Sequence, residues 1–144
     1  MAETFIFTRR GLIAGLGATA LVGSAHATKA LPDIAVMKEP TCGCCEKWVT
    51  HLREEGFAVT VTDGPVTPLK VRLGVPRELS SCHTAQVGGY IVEGHVPAGA
   101  IKRLLSEKPQ GIGLAVPGMP TGSPGMEVEG AEPATYDVVL FGPG

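Results

Sequence analysis

The chain has 144 residues, with 12 Lys and Arg against 14 Asp and Glu, and its formal net charge is −2 at pH 7. This slightly acidic balance argues against a nucleic-acid or membrane-surface partner, because such partners favour a basic patch. The length suits one small domain with a single hydrophobic core.

Residues 1–27 have the pattern of an export signal. Arg9 and Arg10 precede an apolar run, and Ala27 closes a small-x-small cleavage site. The run is too short and too rich in Gly and Ala for a stable membrane span, which needs about 20 strongly apolar residues. We therefore expect cleavage after about Ala27, by the general secretory or the twin-arginine route, and a periplasmic location for a single domain at 28–144.

The first part of this domain predicts alternating strands and helices. Cys45, Trp48, Val49 and Leu52 recur at helical spacing on one face, which indicates an amphipathic helix. In chain order we expect a strand at 33–38, a helix from about 44 to 55 capped by Thr41 and ended by Gly56, a strand at 57–62 and a short helix at 69–73.

The second part predicts a hairpin, a further helix and an irregular tail. We expect a loop at 79–84, a strand at 86–92, a tight turn at Glu93-Gly94, a partner strand starting at His95 and a helix at 97–107. Gly and Pro dominate 110–133, so no regular element is expected there, and a last strand is expected at 136–141. This order predicts an α/β fold: a thioredoxin-like sandwich with a central mixed sheet, flanking helices and a Gly/Pro/Met-rich C-terminal loop.

The cysteines are the candidate functional residues. Three of the four lie within Cys42-Gly43-Cys44-Cys45, and the fourth, Cys82, is followed by His83. Packing alone rarely needs adjacent thiols on one loop, and this spacing does not resemble a disulfide framework. The first turn of a helix favours thiolates, and a thiolate is both a nucleophile and a ligand for soft metals. Position alone therefore leaves redox chemistry and metal binding open.

Spacing separates these alternatives only in part. Cys42 and Cys45 have the two intervening residues of the familiar dithiol motif, but Cys44 is a third thiol that would compete for the disulfide. Three sulfurs from one loop suit Cu(I), which soft sulfur ligands favour. Zn(II) bound by three thiolates and an imidazole, a metal-free thiol-disulfide oxidoreductase and an iron–sulfur carrier are the alternatives.

The remaining candidates are one loop pair, one histidine and two methionines. In a thioredoxin-like topology the loop before the third strand faces the start of the first helix, so Cys82 and His83 should complete the cysteine site. The role of His95 stays open. Met119 and Met126 lie in the irregular tail, where their thioethers are candidate Cu(I) ligands or entry residues.

Several separate motifs resemble one known family. They are Cys42-Gly43-Cys44-Cys45 with Trp48, Gly74-Val75-Pro76, Ser81-Cys82-His83-Thr84-Ala85, Glu93-Gly94-His95-Val96-Pro97, and the stretch from Gly113 to Met126 that contains Pro-Gly-Met twice. Together they resemble the CopG-type periplasmic copper-resistance proteins, long catalogued as a metal-binding domain of unknown function, over about 34–127.

The resemblance implies a thioredoxin-like domain that binds copper in cells managing excess copper. Cys42, Cys44, Cys45 and Cys82 would be the ligands, in a multinuclear Cu(I)–thiolate cluster with His83 beside it, and other periplasmic copper-handling proteins would be its partners. A conversion between Cu(I) and Cu(II) is also implied, and whether the protein turns over as an enzyme stays open. Ala85 stands about where thioredoxins place a cis-proline, which argues against ordinary exchange with protein substrates.

Overall fold

The fold is known from a computed structural model that describes residues 30–143. Over these residues it is a mixed α/β structure with a six-stranded sheet and three α-helices. In chain order the elements are β1 (Ile34–Lys38), α1 (Gly43–Glu54), β2 (Val59–Asp63), α2 (Val66–Leu73), a 3₁₀ turn (Arg77–Leu79), β3 (His83–Val87), β4 (Tyr90–Gly94), α3 (Ala98–Glu107), β5 (Gly113–Val116) and β6 (Val139–Phe141).

The strands are ordered β2-β1-β3-β4-β5-β6. β1 is parallel to β2 and antiparallel to β3, β3 is antiparallel to β4, β4 is parallel to β5, and β6 is antiparallel to β5. The predicted α/β sandwich with a mixed sheet is therefore confirmed, while its thioredoxin-like label stays a prediction.

The main core forms where α1 and α3 bury their apolar faces. Cys45, Trp48, Val49 and Leu52 are all fully buried, which confirms the helical face predicted for α1. Ile101 is fully buried on α3 and belongs to the same core cluster as Trp48. Burial of such side chains contributes about 1.5–3 kcal/mol each, so this packing holds the start of α1 firmly against the sheet.

The predicted hairpin is wrong in its position. The turn lies at Gly88-Gly89, where φ is +56° and +87°, and not at Glu93-Gly94. Two successive positive φ values suit the tight turns whose twist matches a hairpin, and glycine adopts them without steric cost. His95 consequently follows the end of β4 and does not begin a strand.

The prediction that 110–133 holds no regular element is also wrong. Gly113–Val116 forms β5, whose four residues are all buried between β4 and β6. The last strand, expected at 136–141, is present at Val139–Phe141 and pairs with β5. The C-terminal segment is therefore partly built into the sheet.

The predicted leader at 1–27 lies outside the described residues, so its cleavage and the domain boundary at 28 stay predictions. Among residues 30–143, none of the helices has the length and apolar character needed to cross a bilayer.

Candidate metal centre

Four segments meet at one edge of the sheet. β1 ends at Lys38 just before the cysteine loop, and the register that pairs Lys38 with His83 puts the start of β3 at the same edge. β4 and β5 run parallel to each other and both end there, because Gly94 pairs with Val116. Cys82, His95 and the segment after Val116 therefore converge on the loop that leads into α1.

The cysteine loop leads directly into the first turn of α1. Cys42 is the N-cap, not the predicted Thr41, and its side chain makes no capping hydrogen bond. Cys44 and Cys45 lie in the first turn, where unpaired N–H groups and the positive end of the helix dipole favour negative charge.

Cys42 and Cys45 are joined by a disulfide, and Cys44 and Cys82 are free thiols. The helical turn explains the pairing, because it brings the two Cα atoms to 5.3 Å, within the usual range for disulfides. The spacing of Cys42 and Cys45 allows this bond, and Cys44, the expected competitor for it, is a free thiol. A site with four thiolates therefore requires prior reduction of this bond by two electrons.

All four sulfurs nevertheless form one cluster. The Sγ atoms of Cys42, Cys44, Cys45 and Cys82 lie within 4.8 Å of one another, and those of Cys42 and Cys44 are 3.5 Å apart. The predicted convergence of Cys82 on the cysteine loop is therefore present in the structure.

His83 is fully buried against α1. Its ring stacks on Trp48 with 4.2 Å between centroids, and Trp48 is held in turn by an indole N–H that donates to the Val96 carbonyl at 2.8 Å. Nε2 lies 2.9 Å from the Gly94 carbonyl, which can only accept, so Nε2 carries the proton. The Nδ1 lone pair is then left facing Cys82 Sγ and Cys45 Sγ, each at 3.3 Å.

His95 has a matching arrangement and was not among the residues assigned from sequence. Its Nδ1 is 2.7 Å from the Pro124 carbonyl and therefore donates to it, which leaves the Nε2 lone pair 3.2 Å from Cys82 Sγ. Cys82, His83 and His95 thus form a second group whose ligand atoms lie within 4.8 Å of one another. A sequence signal existed in the Glu93-Gly94-His95-Val96-Pro97 motif, but the misplaced hairpin hid its geometry.

Burial keeps these three side chains neutral. It lowers the pKa of His83 to about 3, with the nearby His95 adding to the effect, and it lowers the pKa of His95 as well. It raises the pKa of Cys82 to about 11, with the neighbouring Cys44 as a further cause. Two unprotonated imidazole nitrogens therefore face a protonated thiol, and a metal bound there would displace the thiol proton.

The segment 120–126 packs against the site through Gly125. An added Cβ at Gly125 would lie 2.8 Å from the Cys44 carbonyl oxygen, 2.9 Å from the Trp48 backbone nitrogen and 3.3 Å from His95 Nδ1. Met126 is half-buried and follows this contact directly, whereas Met119 is 41% exposed and has a left-handed φ of +46°. Met126 is thus the methionine adjacent in sequence to this contact, and both methionines stay predictions as ligands.

The donor set fits a soft metal. Thiolate sulfurs and neutral imidazole nitrogens are the ligands that copper takes in proteins, and no carboxylate belongs to either group of ligand atoms among the described residues. Carbonyl partners on the far nitrogens of His83 and His95 fix both rings, as is usual for metal-binding histidines.

Two solved structures are similar to this chain over most of its length. They are described as copper resistance protein CopG, Form 2 and Form 1, and each is 46% identical and covers 76% of this chain. The alignments cover 88% and 87% of the solved chains, with TM-scores of 0.72 and 0.71. The chain belongs to the CopG copper-resistance family.

A family model described as a protein of unknown function, DUF411, matches residues 79–126, and no curated protein sequence matches. The DUF411 stretch begins just before Cys82 and ends at Met126. It therefore spans the second half of the site, including His83 and His95, while the CopG structures cover most of the chain. The recognition made from sequence motifs is confirmed, and the cysteine and histidine cluster fits a copper-binding role.

Proposed function

We propose that this protein captures Cu(I) in the periplasm as part of copper resistance. The observation that carries the proposal is the convergence of four cysteine sulfurs, within 4.8 Å of one another, on two imidazole nitrogens whose lone pairs face Cys82. The name of the related solved structures, copper resistance protein, supports the choice of metal.

The proposed ligands are the sulfurs of Cys42, Cys44, Cys45 and Cys82 together with His83. His95 joins them because its Nε2 is as close to Cys82 as His83 Nδ1 is. Four mutually close thiolates exceed the needs of one Cu(I) ion, which accepts low coordination numbers, so sulfur bridges between several ions suit this spacing. Met126 and Met119 remain proposed as thioether ligands or entry residues.

In this proposal the site is reduced before it binds copper. A two-electron reductant opens the Cys42–Cys45 disulfide, and the half-buried Cys42 sulfur is the accessible one because Cys45 is fully buried. Reduction yields two thiols next to Cys44 and Cys82. Copper binding then releases thiol protons, while the carbonyls of Gly94 and Pro124 hold the imidazoles in the ligand tautomer.

Cu(I) titration of the reduced, anaerobic protein tests this proposal, with copper, zinc and iron counted per chain by elemental analysis. We expect more than one Cu(I) per chain and strong ultraviolet thiolate-to-copper absorption. A reduced protein that takes up no copper contradicts the proposal, and iron with visible absorption would favour the iron–sulfur alternative.

A thiol-disulfide oxidoreductase is the second candidate function, because the Cys42–Cys45 disulfide sits at a helix N-terminus. The variant Cys44→Ser separates the two functions. It should lower the number of Cu(I) ions bound while leaving the Cys42–Cys45 pair able to exchange. Insulin reduction at a thioredoxin-like rate by a reduced protein that takes up no copper would favour the oxidoreductase, and unchanged copper binding in Cys44→Ser would remove Cys44 from the site.

A further inference from the structure

A buried ion pair lies behind the site and takes no part in the proposed metal coordination. Glu93 is fully buried and Lys70 is 6% exposed, and their charged groups are in direct contact. The Lys70 ammonium also donates to Thr84 Oγ1 at 2.8 Å and to the His83 carbonyl at 3.3 Å. Charges this deeply buried are rare unless paired, and replacing such a pair with apolar side chains is often neutral for stability. A contribution to the stability of the fold is therefore not a sufficient explanation for the presence of this ion pair.

The contacts of Glu93 point to the loop that carries the metal ligands. Its Oε1 accepts the backbone N–H of Ser81 at 2.6 Å, and its Oε2 accepts the Thr84 hydroxyl at 2.7 Å. Lys70 meanwhile binds the His83 carbonyl. The ion pair thus holds the backbone on both sides of Cys82 and His83.

Three consecutive residues at the end of β4 each contact this stretch. The Glu93 side chain holds the Ser81 N–H, the Gly94 carbonyl accepts from His83 Nε2 at 2.9 Å, and His95 Nε2 lies 3.2 Å from Cys82 Sγ. Gly94 permits this approach, because a Cβ there would lie 2.9 Å from the Ser81 side chain and 2.7 Å from the Val116 carbonyl oxygen. Each of the residues 93–95 therefore contacts one residue of the segment 81–83, and these contacts fix the position of one segment relative to the other.

From this geometry we infer that Glu93, charge-balanced by Lys70, is a positioning residue that fixes Ser81–His83 so that the Cys82 sulfur and the His83 Nδ1 lone pair face the cysteine loop. The inference rests on the proposed copper-binding function and assigns a role to two residues outside the ligand set. The positioning role requires a hydrogen-bond acceptor at residue 93. A purely stabilising role requires only that side chains fill the same space and that no buried charge is left unpaired.

Two double variants separate these roles. Lys70→Met with Glu93→Gln removes both charges but keeps an amide oxygen that accepts the Ser81 N–H. Lys70→Met with Glu93→Met has the same neutral lysine replacement and similar volume, but offers no acceptor at residue 93. Both are compared with the wild type after anaerobic reduction, by competition for Cu(I) against a chromophoric chelator, with urea unfolding of the metal-free proteins as the stability control.

We expect the glutamine variant to keep nearly the wild-type Cu(I) affinity and the methionine variant to lose about 10–100-fold, the range typical of groups that orient metal ligands. Equal affinities in the two double variants overturn the inference. If the methionine variant does not fold, Lys70→Met with Glu93→Leu replaces it, because leucine also offers no acceptor to the Ser81 N–H. A measurable drop in affinity is then expected, and an unchanged affinity overturns the inference.

A metal-free readout distinguishes this inference from the proposed function. The imidazole ¹⁵N shifts of His83 report whether Nε2 keeps the proton that it donates to Gly94. We expect the wild-type tautomer in the glutamine variant and a mixture in the methionine variant; identical shifts in both overturn the inference. A wild-type protein that binds no Cu(I) refutes the proposed function alone, because the imidazole shifts still decide the positioning role.

Discussion

Replacing Gly125 with alanine tests whether the segment 120–126 is docked on the metal site. Gly125 is buried with φ +88°, and an added Cβ would lie 2.8 Å from the Cys44 carbonyl oxygen and 2.9 Å from the Trp48 backbone nitrogen. Both neighbours are backbone atoms in the first turns of α1, so neither can move aside cheaply. The methyl group must therefore displace the segment or strain the helix.

The expected cost has two parts. A left-handed conformation costs a residue with a Cβ about 1–2 kcal/mol, and overpacking in a tight contact costs about 1–3 kcal/mol. Gly130→Ala isolates the first part, because Gly130 has φ +76° and no atom within 4 Å of its added Cβ. We expect the free energy of unfolding to fall by about 2–5 kcal/mol for Gly125→Ala and by about 1–2 kcal/mol for the control.

Two measurements test this prediction: urea unfolding, and the rate at which the free thiols react with a disulfide reagent. Displacing the segment removes the Pro124 carbonyl from His95 Nδ1, now 2.7 Å away, and opens the approach to Cys44 and Cys82. The two thiols should then react faster with a disulfide reagent in Gly125→Ala than in Gly130→Ala. Equal losses of stability in the two variants, with unchanged thiol reactivity, would refute the docking of this segment.

Two further predictions concern packing and metal binding. Trp48→Phe removes the indole N–H that donates to the Val96 carbonyl at 2.8 Å, and the unpaired buried carbonyl should lower the free energy of unfolding by about 1–3 kcal/mol in urea titrations; an unchanged midpoint would contradict this. If the reduced protein binds Cu(I), free Cu(I) at 100 times its dissociation constant should stabilise the fold by about 2.7 kcal/mol. Absence of any rise in melting temperature on copper addition would contradict that coupling.

The parts of the fold that local patterns control were predictable. Helix α1 was expected at about 44–55 and lies at Gly43–Glu54, because its apolar face, its position after a strand and the glycine beyond its end are all readable along the chain. The same holds for β1 and α3. Each begins one residue later than expected and ends at the expected residue.

The missed strand depends on distant partners and not on its own composition. β5 begins at Gly113, where an added Cβ would lie 1.9 Å from the Ile91 carbonyl oxygen of the neighbouring strand. Glycine, which usually weakens a strand, is thus required there by close backbone approach. A composition rule that assigns loops to Gly/Pro-rich stretches cannot detect this requirement, because it arises only after β4 and β5 have paired.

His95 shows how an error in register hides a functional residue. The sequence pattern predicts a third strand that ends at 92 and a turn at Glu93-Gly94, which would put His95 on a separate strand. The turn at Gly88-Gly89 instead carries β4 to Gly94 and delivers His95 to the edge where Cys82 lies. A Gly-Gly pair between alternating segments is a recognised hairpin signal, so the sequence itself carries a signal for the turn that forms.

The Cys42–Cys45 disulfide bears on both alternatives that the sequence leaves open, redox chemistry and metal binding. With Cys42 and Cys45 oxidised, only Cys44 and Cys82 can supply thiolates, and the sulfur count falls from four to two. The hydrogen bonds that orient His83 and His95, to the carbonyls of Gly94 and Pro124, involve neither member of the disulfide. Oxidation therefore removes ligands from the α1 side while leaving the β3–β4 side formed, so the proposed copper capacity depends on the redox state of one bond. Under the proposed function, the Cys42–Cys45 disulfide must therefore be reduced before all four cysteines can bind copper.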